Sequence, residues 1–421
     1  MKIELQNIGK IRAASIVLDG ITVIAGENDT GKSTISKALY CAYKSSYNVE
    51  NQIREQRLNS IRSSLSSIFG NGLSVSQISY NPSVIANSLV DNKTRYIDNP
   101  EFLTSAIQDS LKNAKGVNLD EIKQADIDKA AERILEILQM DDMRILTTLS
   151  RRFFAVEFAF QVVNLFTDSS GTVAITSGET TSKFSFNKKQ ELSVHRPISM
   201  QSRILYMDDP FIIDNLSLTG GLETILPNHR SDLLVLLREK YTSNDAIIEI
   251  LANERLKRVY QQIDSVLPGD LIYDENMSFS YRFPGTDKKL DVQNLSAGLK
   301  TFAILKTLLK NGSLETGSTV VLDEPEIHLH PKWQLIFAEI IVLLHKEFNL
   351  KILLTTHSPY FFEAIEAFSE KHNVSKECKY YLAHTIDGFS EVEDVTGKAE
   401  PVYKLLAEPF QTLTDVEDSD D

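Results

Sequence analysis

The chain has 421 residues, of which 42% are hydrophobic and 24% charged, and its formal net charge is −14. The length allows one large domain with insertions or two to three domains, and the composition is that of an ordinary globular protein. The acidic balance argues against a globally basic nucleic-acid binder, the lack of an apolar run of roughly 18 residues argues against a membrane protein, and two cysteines, Cys41 and Cys378, are too few for a disulfide framework.

The first predicted elements are strands. Residues 2–25 read as three short strands, and the last of them is the apolar, β-branched run 21–25. The opening residues alternate between apolar and polar and contain no apolar signal region. We therefore predict a cytoplasmic protein whose first strands lead to a functional loop.

That loop is the segment 26–34, which has the spacing of a phosphate-binding loop. Gly26 and Gly31 are followed by Lys32 and Ser33, and the flanking strand and helix-forming run give the context that the motif needs. Glycines allow successive N–H groups to point inward, and the helix adds its positive N-terminal end, so we expect an anion site. Lys32 is expected to contact the β- and γ-phosphates of a nucleotide, and Ser33 to bind Mg²⁺.

The segment after this helix, residues 45–166, is predicted to form a helical insertion. Helical patterns without long heptads cover much of it, at residues 54–69, 102–112, 119–140 and 142–166. Basic and aromatic residues adjoin each other at 151–154, and the aromatic residues Phe158 and Phe160 follow. We interpret them as a packed helix face, with a nucleic-acid-binding stripe as the alternative.

Apolar and polar residues alternate over 172–194, which predicts an antiparallel meander. Residues 203–207 are predicted to form a buried strand that ends at Asp208 and Asp209. Two acids at the carboxyl end of a strand can help to hold a metal ion or its waters. A turn closed by Pro210 is the alternative interpretation.

A second helical insertion is predicted at residues 211–267, where Leu and Ile recur at helical spacing. Residues 271–292 read as strands, and residues 294–300 open another helix. Ser296 at its start is either an ordinary helix cap or a hydroxyl that contacts a phosphate.

The next buried strand, residues 318–322, ends in Asp323 and Glu324. An acid at this position is placed to bind Mg²⁺ beside the phosphate loop, and a second acid can polarise and align the water that attacks ATP. His328 and His330 follow at alternate positions, but two histidines without cysteine support are weak evidence for a metal site.

A further buried strand, residues 351–356, ends just before His357. Because the carboxyl ends of parallel strands lie at one edge of a sheet, we expect His357 to lie beside the acidic pair and to contact the γ-phosphate. Residues 379–393 alternate like a hairpin, and a short helix is predicted at 401–406. The acidic end of the chain, 411–421, is interpreted as a solvated, disordered tail, with a docking segment for a basic partner as the alternative.

Taken in order, four motifs resemble those of ABC-class ATPases of the SMC kind: the loop at 26–34, Leu-Ser-Ala-Gly at 295–298, Asp-Glu-Pro at 323–325 and Thr-His-Ser-Pro at 356–359. More closely, they resemble the branch that contains the overcoming-lysogenization-defect (OLD) ATPases and the ATPase subunits of anti-phage systems such as Septu and PARIS. The resemblance implies an α/β fold, an ABC-type ATPase domain in which a P-loop NTPase sheet carries an antiparallel β subdomain and helical insertions. Its core is expected to comprise residues 1–44, 167–210 and 268–410.

The resemblance also implies the cofactors ATP and Mg²⁺ and a role for each motif residue. Lys32, Glu324 and His357 are implied as catalytic residues, the last of them as a switch histidine, and Ser33 and Asp323 as ligands of Mg²⁺. The implied nucleotide-binding residues are Gly26, Asn28, Gly31, Lys32, Ser33, Thr34 and the signature residues Ser296 and Gly298.

The sequence departs from the family pattern in several places. Ala297 replaces the first glycine of the usual signature. The glutamine of the Q-loop cannot be placed, because Gln161 falls in a predicted helix and the strand at 203–207 ends in two acids. The long coiled coil of true SMC proteins is absent, and no Toprim nuclease region follows His357. These departures point to an effector on a separate chain.

Three functions are compatible with these motifs. The first is an ATP-driven switch in anti-phage defence, an ATP hydrolase that is not itself a nuclease. Its expected partners are a second copy of the chain in a head-to-tail dimer or higher homo-oligomer, a separate nuclease or toxin, and a phage-derived trigger. The alternatives are an SMC-like DNA-repair ATPase that binds DNA directly, although the charge does not indicate nucleic acid, and the weakest reading, the motor of a membrane transporter.

Overall fold

The fold was analysed in a computed structural model that describes residues 1–69, 81–114, 122–214, 228–239, 246–273, 279–406 and 408, with only the backbone for 246–255. The predicted acidic tail at 411–421 lies outside the described residues. Among the described helices, none combines the length and the apolar character that crossing a membrane requires.

The strands predicted along the chain are present. They are β1 (Lys2–Ile8), β2 (Ile11–Val17), β3 (Ile21–Gly26), β4 (Gly171–Ser177), β5 (Thr180–Phe186), β6 (Leu192–His195), β7 (Ile204–Met207), β8 (Asp270–Tyr273), β9 (Phe279–Arg282), β10 (Lys289–Asp291), β11 (Thr319–Asp323), β12 (Lys351–Thr356), β13 (Cys378–Ile386) and β14 (Phe389–Asp394).

A helical segment at residues 400–406 follows β14, where a short helix was predicted, and the other described α-helices lie between the strands. They are α1 (Lys32–Ser46), α2 (Val49–Ser66), α3 (Pro82–Asp91), α4 (Lys93–Asp98), α5 (Glu101–Lys112), α6 (Gln124–Gln139), α7 (Asp142–Glu157), α8 (His229–Arg238), α9 (Ala246–Val266), α10 (Ala297–Lys310), α11 (Pro331–Phe348) and α12 (Pro359–Lys371).

Within the described residues, eleven strands form one mixed sheet in the order β6-β5-β4-β1-β2-β14-β13-β3-β12-β11-β7. The part from β13 to β7 is parallel, and the part from β6 to β2 is antiparallel. The β13–β14 hairpin joins the two parts, since β13 pairs with β3 and β14 with β2. The predicted phosphate-loop sheet and antiparallel subdomain are thus both present and continuous, whereas β8–β10 form a separate three-stranded sheet.

The parallel strands are buried on both faces, which explains their continuous apolar sequences. On one face, alternate residues such as Val23, Leu205 and Leu354 join a core with α8 to α12. Tyr206 points to the other face, because neighbouring strand residues point in opposite directions, and its ring lies 6.0 Å from that of Tyr40 in α1. Helices therefore cover both faces of the parallel strands.

The contacts divide the chain into two compact units. One comprises Met1–Tyr47 with Ser150–Asp421, and the other is Asn48–Leu149. The second unit contains α2 to α6 and has its own apolar core, to which α6 contributes Ile127, Ala130, Ala131, Ile134 and Leu138. This spacing places these five side chains on one face of the helix.

One predicted helical segment differs from the structure. The pattern at 142–166 ends as a helix at Glu157, because Ala159 and Phe160 adopt left-handed backbone conformations, with φ of 47° and 64°. In the predicted second insertion at 211–267, residues 215–227 and 240–245 lie outside the described residues, and α8 and the described side chains of α9 pack in the core beside the parallel strands. The helix-face interpretation is confirmed for Phe153 and Phe154, which are buried, with Phe154 packed on Phe184 and Phe186 of β5. It is wrong for Phe160, which follows the end of α7 and is 70% exposed.

Candidate functional site

The candidate site lies where the parallel strands end. In the sheet, Ala25 of β3 pairs with Thr356 of β12, and Thr355 pairs with Asp323 of β11. Because carboxyl ends of neighbouring parallel strands meet at one edge of a sheet, the residues that follow each strand are brought together. The phosphate loop, the Asp-Glu pair and His357 therefore share this edge.

The phosphate loop has the backbone that its sequence predicts. Gly31 precedes α1 with a left-handed φ of 80°, and a side chain there would come within 2.5 Å of the Ile11 Cδ1 atom. Only glycine adopts this conformation without strain and also fits the space. The exposed Asn28 lies on the loop, and the exposed Ser33 and half-buried Thr34 lie in the first turn of α1.

Lys32 is the buried cation of the site, with 3% of its side chain exposed. Its Nζ atom donates to the carbonyl oxygens of Gly26 at 2.9 Å and Glu27 at 2.7 Å. It also lies 3.1 Å from Oε1 of Glu324. The ammonium group is therefore held over the loop by neutral acceptors and by one carboxylate.

Glu324 connects the phosphate loop to β12. Its Oε1 atom lies 3.4 Å from Nδ1 of His357, in addition to its contact with Lys32. Its backbone has a φ of 49°, a sparsely populated conformation for a residue other than glycine. The backbone N–H holds this conformation by donating to the carbonyl oxygen of Thr355 at 3.2 Å and to its hydroxyl at 3.0 Å. Backbone strain of this kind is concentrated at functional sites.

Asp323 is held by two hydroxyl groups. The hydroxyl of Tyr206 donates to Oδ2 at 2.9 Å, and that of Thr355 donates to Oδ1. An ionised carboxylate offers about four lone-pair positions, so acceptor capacity remains. Carboxylate oxygens are among the protein ligands that Mg²⁺ takes at phosphate sites, so Asp323 has the chemistry of the predicted Mg²⁺ ligand, and its role together with Ser33 stays a prediction.

Two residues to which the sequence gave no catalytic or ligand-binding role support this site. Tyr206 is the partner of Asp323 described above. Glu326 is buried and accepts hydrogen bonds from the Thr356 hydroxyl and, at 3.4 Å, from the His357 N–H. Burial raises the pKa of Glu326, although the bond from Thr356 opposes that shift. The only sequence signal for these residues is that they flank the acidic motifs at 208–209 and 323–324.

The signature residues Ser296 and Gly298 lie at the start of α10. Ser296 is exposed, and its hydroxyl does not cap α10. A side chain at Gly298 would come within 2.9 Å of the His328 carbonyl oxygen and 3.1 Å of the Trp333 ring, so the helix packs closely there. In the part of the chain that is described, no hydrogen bond or ion pair joins Ser296 or Gly298 to the phosphate loop.

Asp208 and Asp209 are engaged in ion pairs and a turn. Asp208 lies 3.0 Å from Nε2 of His229 and 2.8 Å from Arg230, while Asp209 accepts a hydrogen bond from the Phe211 N–H at 2.8 Å. Burial alone would raise the pKa of Asp208, but the ion pair with His229 and the hydrogen bonds from Arg230 outweigh it and lower the pKa to about 2. These contacts favour the turn interpretation of this motif over the metal-binding one.

His229 is a buried cation between two carboxylates. Its Nδ1 atom lies 2.7 Å from Glu157, and its ring stacks on that of Tyr206 with centroids 4.1 Å apart. Burial lowers the pKa of His229, but the bonds to Asp208 and Glu157 outweigh it and raise the pKa to about 9. The charged imidazole thus supports the tyrosine that holds Asp323.

This arrangement predicts a stability that falls at alkaline pH. A folded-state pKa of about 9 against an ordinary value of 6.5 corresponds to about 3 kcal/mol. Because the folded-state pKa is the higher one, this stabilisation is complete below pH 6.5 and is lost as the pH rises towards 9. Thermal denaturation between pH 6 and 9.5 should show a steeper fall for the parental protein than for His229→Gln. The exposed His195→Gln serves as the control, and equal slopes in all three proteins would contradict the prediction.

The remaining candidates do not form a metal centre. Nδ1 of His330 caps α11 by accepting from the Lys332 N–H at 3.2 Å, and His328 packs edge-on against Phe211. Among the residues that the structure describes, no three His, Cys, Asp or Glu side chains converge on a common point.

Gln161 lies outside any helix and not within α7 as predicted. It lines a cavity beside the phosphate loop, together with Asp29. The position of the Q-loop glutamine stays open.

Comparisons with known proteins point to the same chemistry. The family model for the AAA ATPase domain matches residues 1–362. The retron Ec83 probable ATPase of Escherichia coli is 31% identical over 186 residues, which cover 38% of this chain and 31% of that protein. The retron Vc95 probable ATPase of Vibrio cholerae serotype O1 biovar El Tor is 33% identical over 103 residues, which cover 22% of this chain and 19% of that protein. The chain thus spans about a third or less of the length of these curated relatives.

Among solved structures, the SMC head domain from Thermotoga maritima is 13% identical with a TM-score of 0.39, over 94% of this chain and 98% of that one. An SMC head bound to the C-winged helix domain of ScpA is 13% identical with a TM-score of 0.44, over 94% and 97%. Likeness at this level supports no conclusion about function. The family match, in contrast, covers well over half of the chain and includes the phosphate loop and the Asp-Glu pair. The chain therefore belongs to the AAA ATPase domain family.

Proposed function

We propose that this protein is an ATP-driven switch that controls a separate effector in bacterial anti-phage defence. The observation that supports ATP hydrolysis, the first part of the proposal, is the meeting of Lys32, Glu324 and His357 at the carboxyl edge of the parallel sheet, next to Asp323. Their spacing suits a nucleoside triphosphate whose terminal phosphate lies among these side chains.

Each residue has a distinct task in this proposal. Lys32 neutralises the β- and γ-phosphates, replacing its present contact with Glu324 by contacts with phosphate oxygens. Glu324, freed from the ammonium group, polarises and aligns the attacking water, and His357 contacts the γ-phosphate. Asp323 and Ser33 would hold Mg²⁺, which supplies further neutralisation of phosphate charge.

The site also suits a composite arrangement between two copies of the chain. The hydroxyl of Ser296 is exposed and does not cap its own helix, although a serine at this position usually does. It is therefore available to contact a phosphate held by another copy. We propose a head-to-tail dimer in which ATP bound by one copy contacts Ser296 and Gly298 of the other.

Control of a separate effector is supported by sequence rather than by the geometry of the site. The motifs resemble those of ATPase subunits of anti-phage systems, and two curated relatives are named as probable ATPases of retrons. The protein carries a net charge of −14, which repels nucleic-acid phosphates and favours a basic protein partner.

The test is to express the tagged chain with its neighbouring genes and identify the proteins that co-purify. We expect a separate nuclease or toxin to be retained, and the purified chain alone to hydrolyse ATP slowly while cleaving neither DNA nor RNA. Nuclease activity that survives stringent purification and is lost in Glu324→Gln would contradict the proposal. ATP hydrolysis that DNA strongly stimulates, with no protein partner retained, would favour the DNA-repair alternative.

A further inference from the structure

Glu326 is a buried carboxyl group that has no task in the chemistry proposed above. It lies two residues after Glu324, and only 1% of it is exposed. Its Oε1 atom accepts hydrogen bonds from the hydroxyl of Thr356 and, at 3.4 Å, from the N–H of His357. Its Oε2 atom is buried and has no hydrogen-bond partner among the described residues. A buried polar atom that is left unpaired costs free energy, so the presence of this carboxyl group calls for an explanation.

The two hydrogen bonds to Oε1 hold the chain at the point where β12 ends. Thr356 is the last residue of β12 and pairs with Ala25 of β3, whereas His357 lies beyond the last paired residue. The sheet therefore fixes the backbone of Thr356, and the Glu326 carboxyl group holds the backbone that follows it. His357 is thus held by a side chain from the segment after β11.

A second set of hydrogen bonds joins the same two segments. The Gln334 side chain, on α11, donates through Nε2 to the carbonyl oxygens of Glu326 at 3.4 Å and Leu329 at 3.2 Å. Its Oε1 atom accepts from the hydroxyl of Ser358 at 3.4 Å. The Ser358 N–H in turn donates to the Thr356 hydroxyl oxygen at 3.0 Å. The segments 326–329 and 356–358 are therefore connected through both Glu326 and Gln334.

The position in which His357 is held is the one that the proposed mechanism needs. Nδ1 of His357 lies 3.4 Å from Oε1 of Glu324, and 37% of the His357 side chain is exposed. The ring therefore lies beside the group proposed to align water and is accessible to a ligand. In the described part of the chain, no hydrogen bond or ion pair joins the Glu326 side chain to Lys32 or to the rest of the phosphate loop. Loss of the Glu326 carboxyl group should therefore disturb His357 and leave the phosphate-binding groups in place.

We infer that Glu326 is a positioning residue that holds His357 beside Glu324, in the place where His357 contacts the γ-phosphate. The inference rests on the proposed function, since it requires a nucleotide whose terminal phosphate lies among Lys32, Glu324 and His357. Misplacement of a group at an active site by about 1 Å can lower the rate by about 10²-fold. We therefore expect loss of the Glu326 carboxyl group to lower the rate of ATP hydrolysis by about 10- to 100-fold and to leave the affinity for ATP unchanged.

The experiment measures single-turnover ATP hydrolysis and, by isothermal titration calorimetry with Mg²⁺ present, the Kd of a non-hydrolysable ATP analogue. Glu326→Met removes both carboxyl oxygens at a similar side-chain length, and we expect it to lose turnover at an unchanged Kd. Glu326→Gln keeps an acceptor at Oε1 and should retain most of the parental turnover, because burial raises the pKa of Glu326 and so favours its neutral form. The matched control is Glu339→Met, which removes a largely buried acid of α11 that pairs with Lys371 and His372 and should change neither value.

Further variants separate positioning from a general loss of structure. If Glu326 acts through His357, combining Glu326→Met with His357→Ala should give a protein no slower than His357→Ala alone, whereas independent effects would multiply. Thr356→Val removes the hydroxyl that donates to Glu326 and should also lower turnover, while Thr356→Ser keeps this hydroxyl and should retain turnover. The Thr356 pair gives the same test without changing the buried acid, in case Glu326→Met fails to fold.

The outcomes separate this inference from the proposed function. Parental turnover in Glu326→Met and Thr356→Val, with a loss in His357→Ala, would overturn the inference and leave the proposed function standing. Equal losses in Glu326→Met and Glu326→Gln, losses that multiply with that of His357→Ala, or a Kd that rises as much as turnover falls would have the same meaning. If the parental protein does not bind the analogue, or if His357→Ala hydrolyses ATP at the parental rate, the proposed role of the site fails and the inference fails with it.

Discussion

Glu324→Gln is expected to bind ATP at least as tightly as the parental protein and to lose turnover by about 10²–10⁴-fold. The substitution removes the group that activates water, and it also removes the carboxylate that lies 3.1 Å from Lys32. The ammonium group is then free to pair with phosphate, so affinity should not fall. Single-turnover hydrolysis and equilibrium binding of ATP measure the two effects separately.

The same variant tests the composite arrangement. If hydrolysis resolves the dimer, Glu324→Gln with ATP should accumulate a dimer on size-exclusion chromatography, and adding Ser296→Arg should abolish it by placing a bulky charge at the exposed signature. Glu370→Gln, on the exposed side of α12, is the matched control and should behave as the parental protein. Parental turnover in Glu324→Gln would show that the catalytic assignment is wrong.

Lys32→Ala is expected to weaken ATP binding by about 10- to 100-fold. A buried hydrogen bond to a charged group contributes about 1.5–3 kcal/mol, and about 1.4 kcal/mol corresponds to a factor of ten in affinity. The Lys32 ammonium is the cation that the structure holds among the loop carbonyls and Glu324. Its removal leaves the phosphates without that charge and leaves the carboxylate of Glu324 beside them.

Thermal denaturation with and without ATP gives a readout that does not depend on turnover. A ligand at 100 times its Kd stabilises a protein by about 2.7 kcal/mol, so ATP at that concentration should raise the Tm of the parental protein clearly more than that of Lys32→Ala. Lys37→Ala, further along α1, is the matched control and should keep the shift. If ATP raised the Tm of Lys32→Ala as much as that of the parental protein, the phosphate loop could not be the ATP-binding site.

Local sequence determined the individual elements of this site. The buried runs that became β3, β11 and β12 could be recognised because strands covered on both faces are continuously apolar. The phosphate loop could be recognised because its tight backbone needs glycine, as at Gly31 with its left-handed φ, and this need arises within the loop itself. The start of α11 at Pro331 and the end of α10 at Lys310 follow from the same kind of local signal.

The end of α7 shows where local signals fail. The aromatic residues after Glu157 continue the helical pattern, so the sequence predicted a helix to residue 166. The chain instead turns at Ala159 and Phe160, and distant groups hold the segment that follows, namely the Gly9 N–H and the side chain of Gln190. A pattern of burial cannot report such partners, because they come from other parts of the chain.

The sequence by itself determined which strands, loops and acids this protein has, and only the tertiary structure decided which of them touch. Tyr206 contacts Asp323 across 117 positions of the chain, and the β13–β14 hairpin enters the sheet between β3 and β2. Glu324, after β11, meets Lys32, after β3, because these two strands are separated by β12 alone in the sheet. The periodicity of a segment shows which of its faces is buried, so helices and strands can be predicted locally. The order of the strands depends on how distant segments pack together, so it cannot be predicted from any one segment.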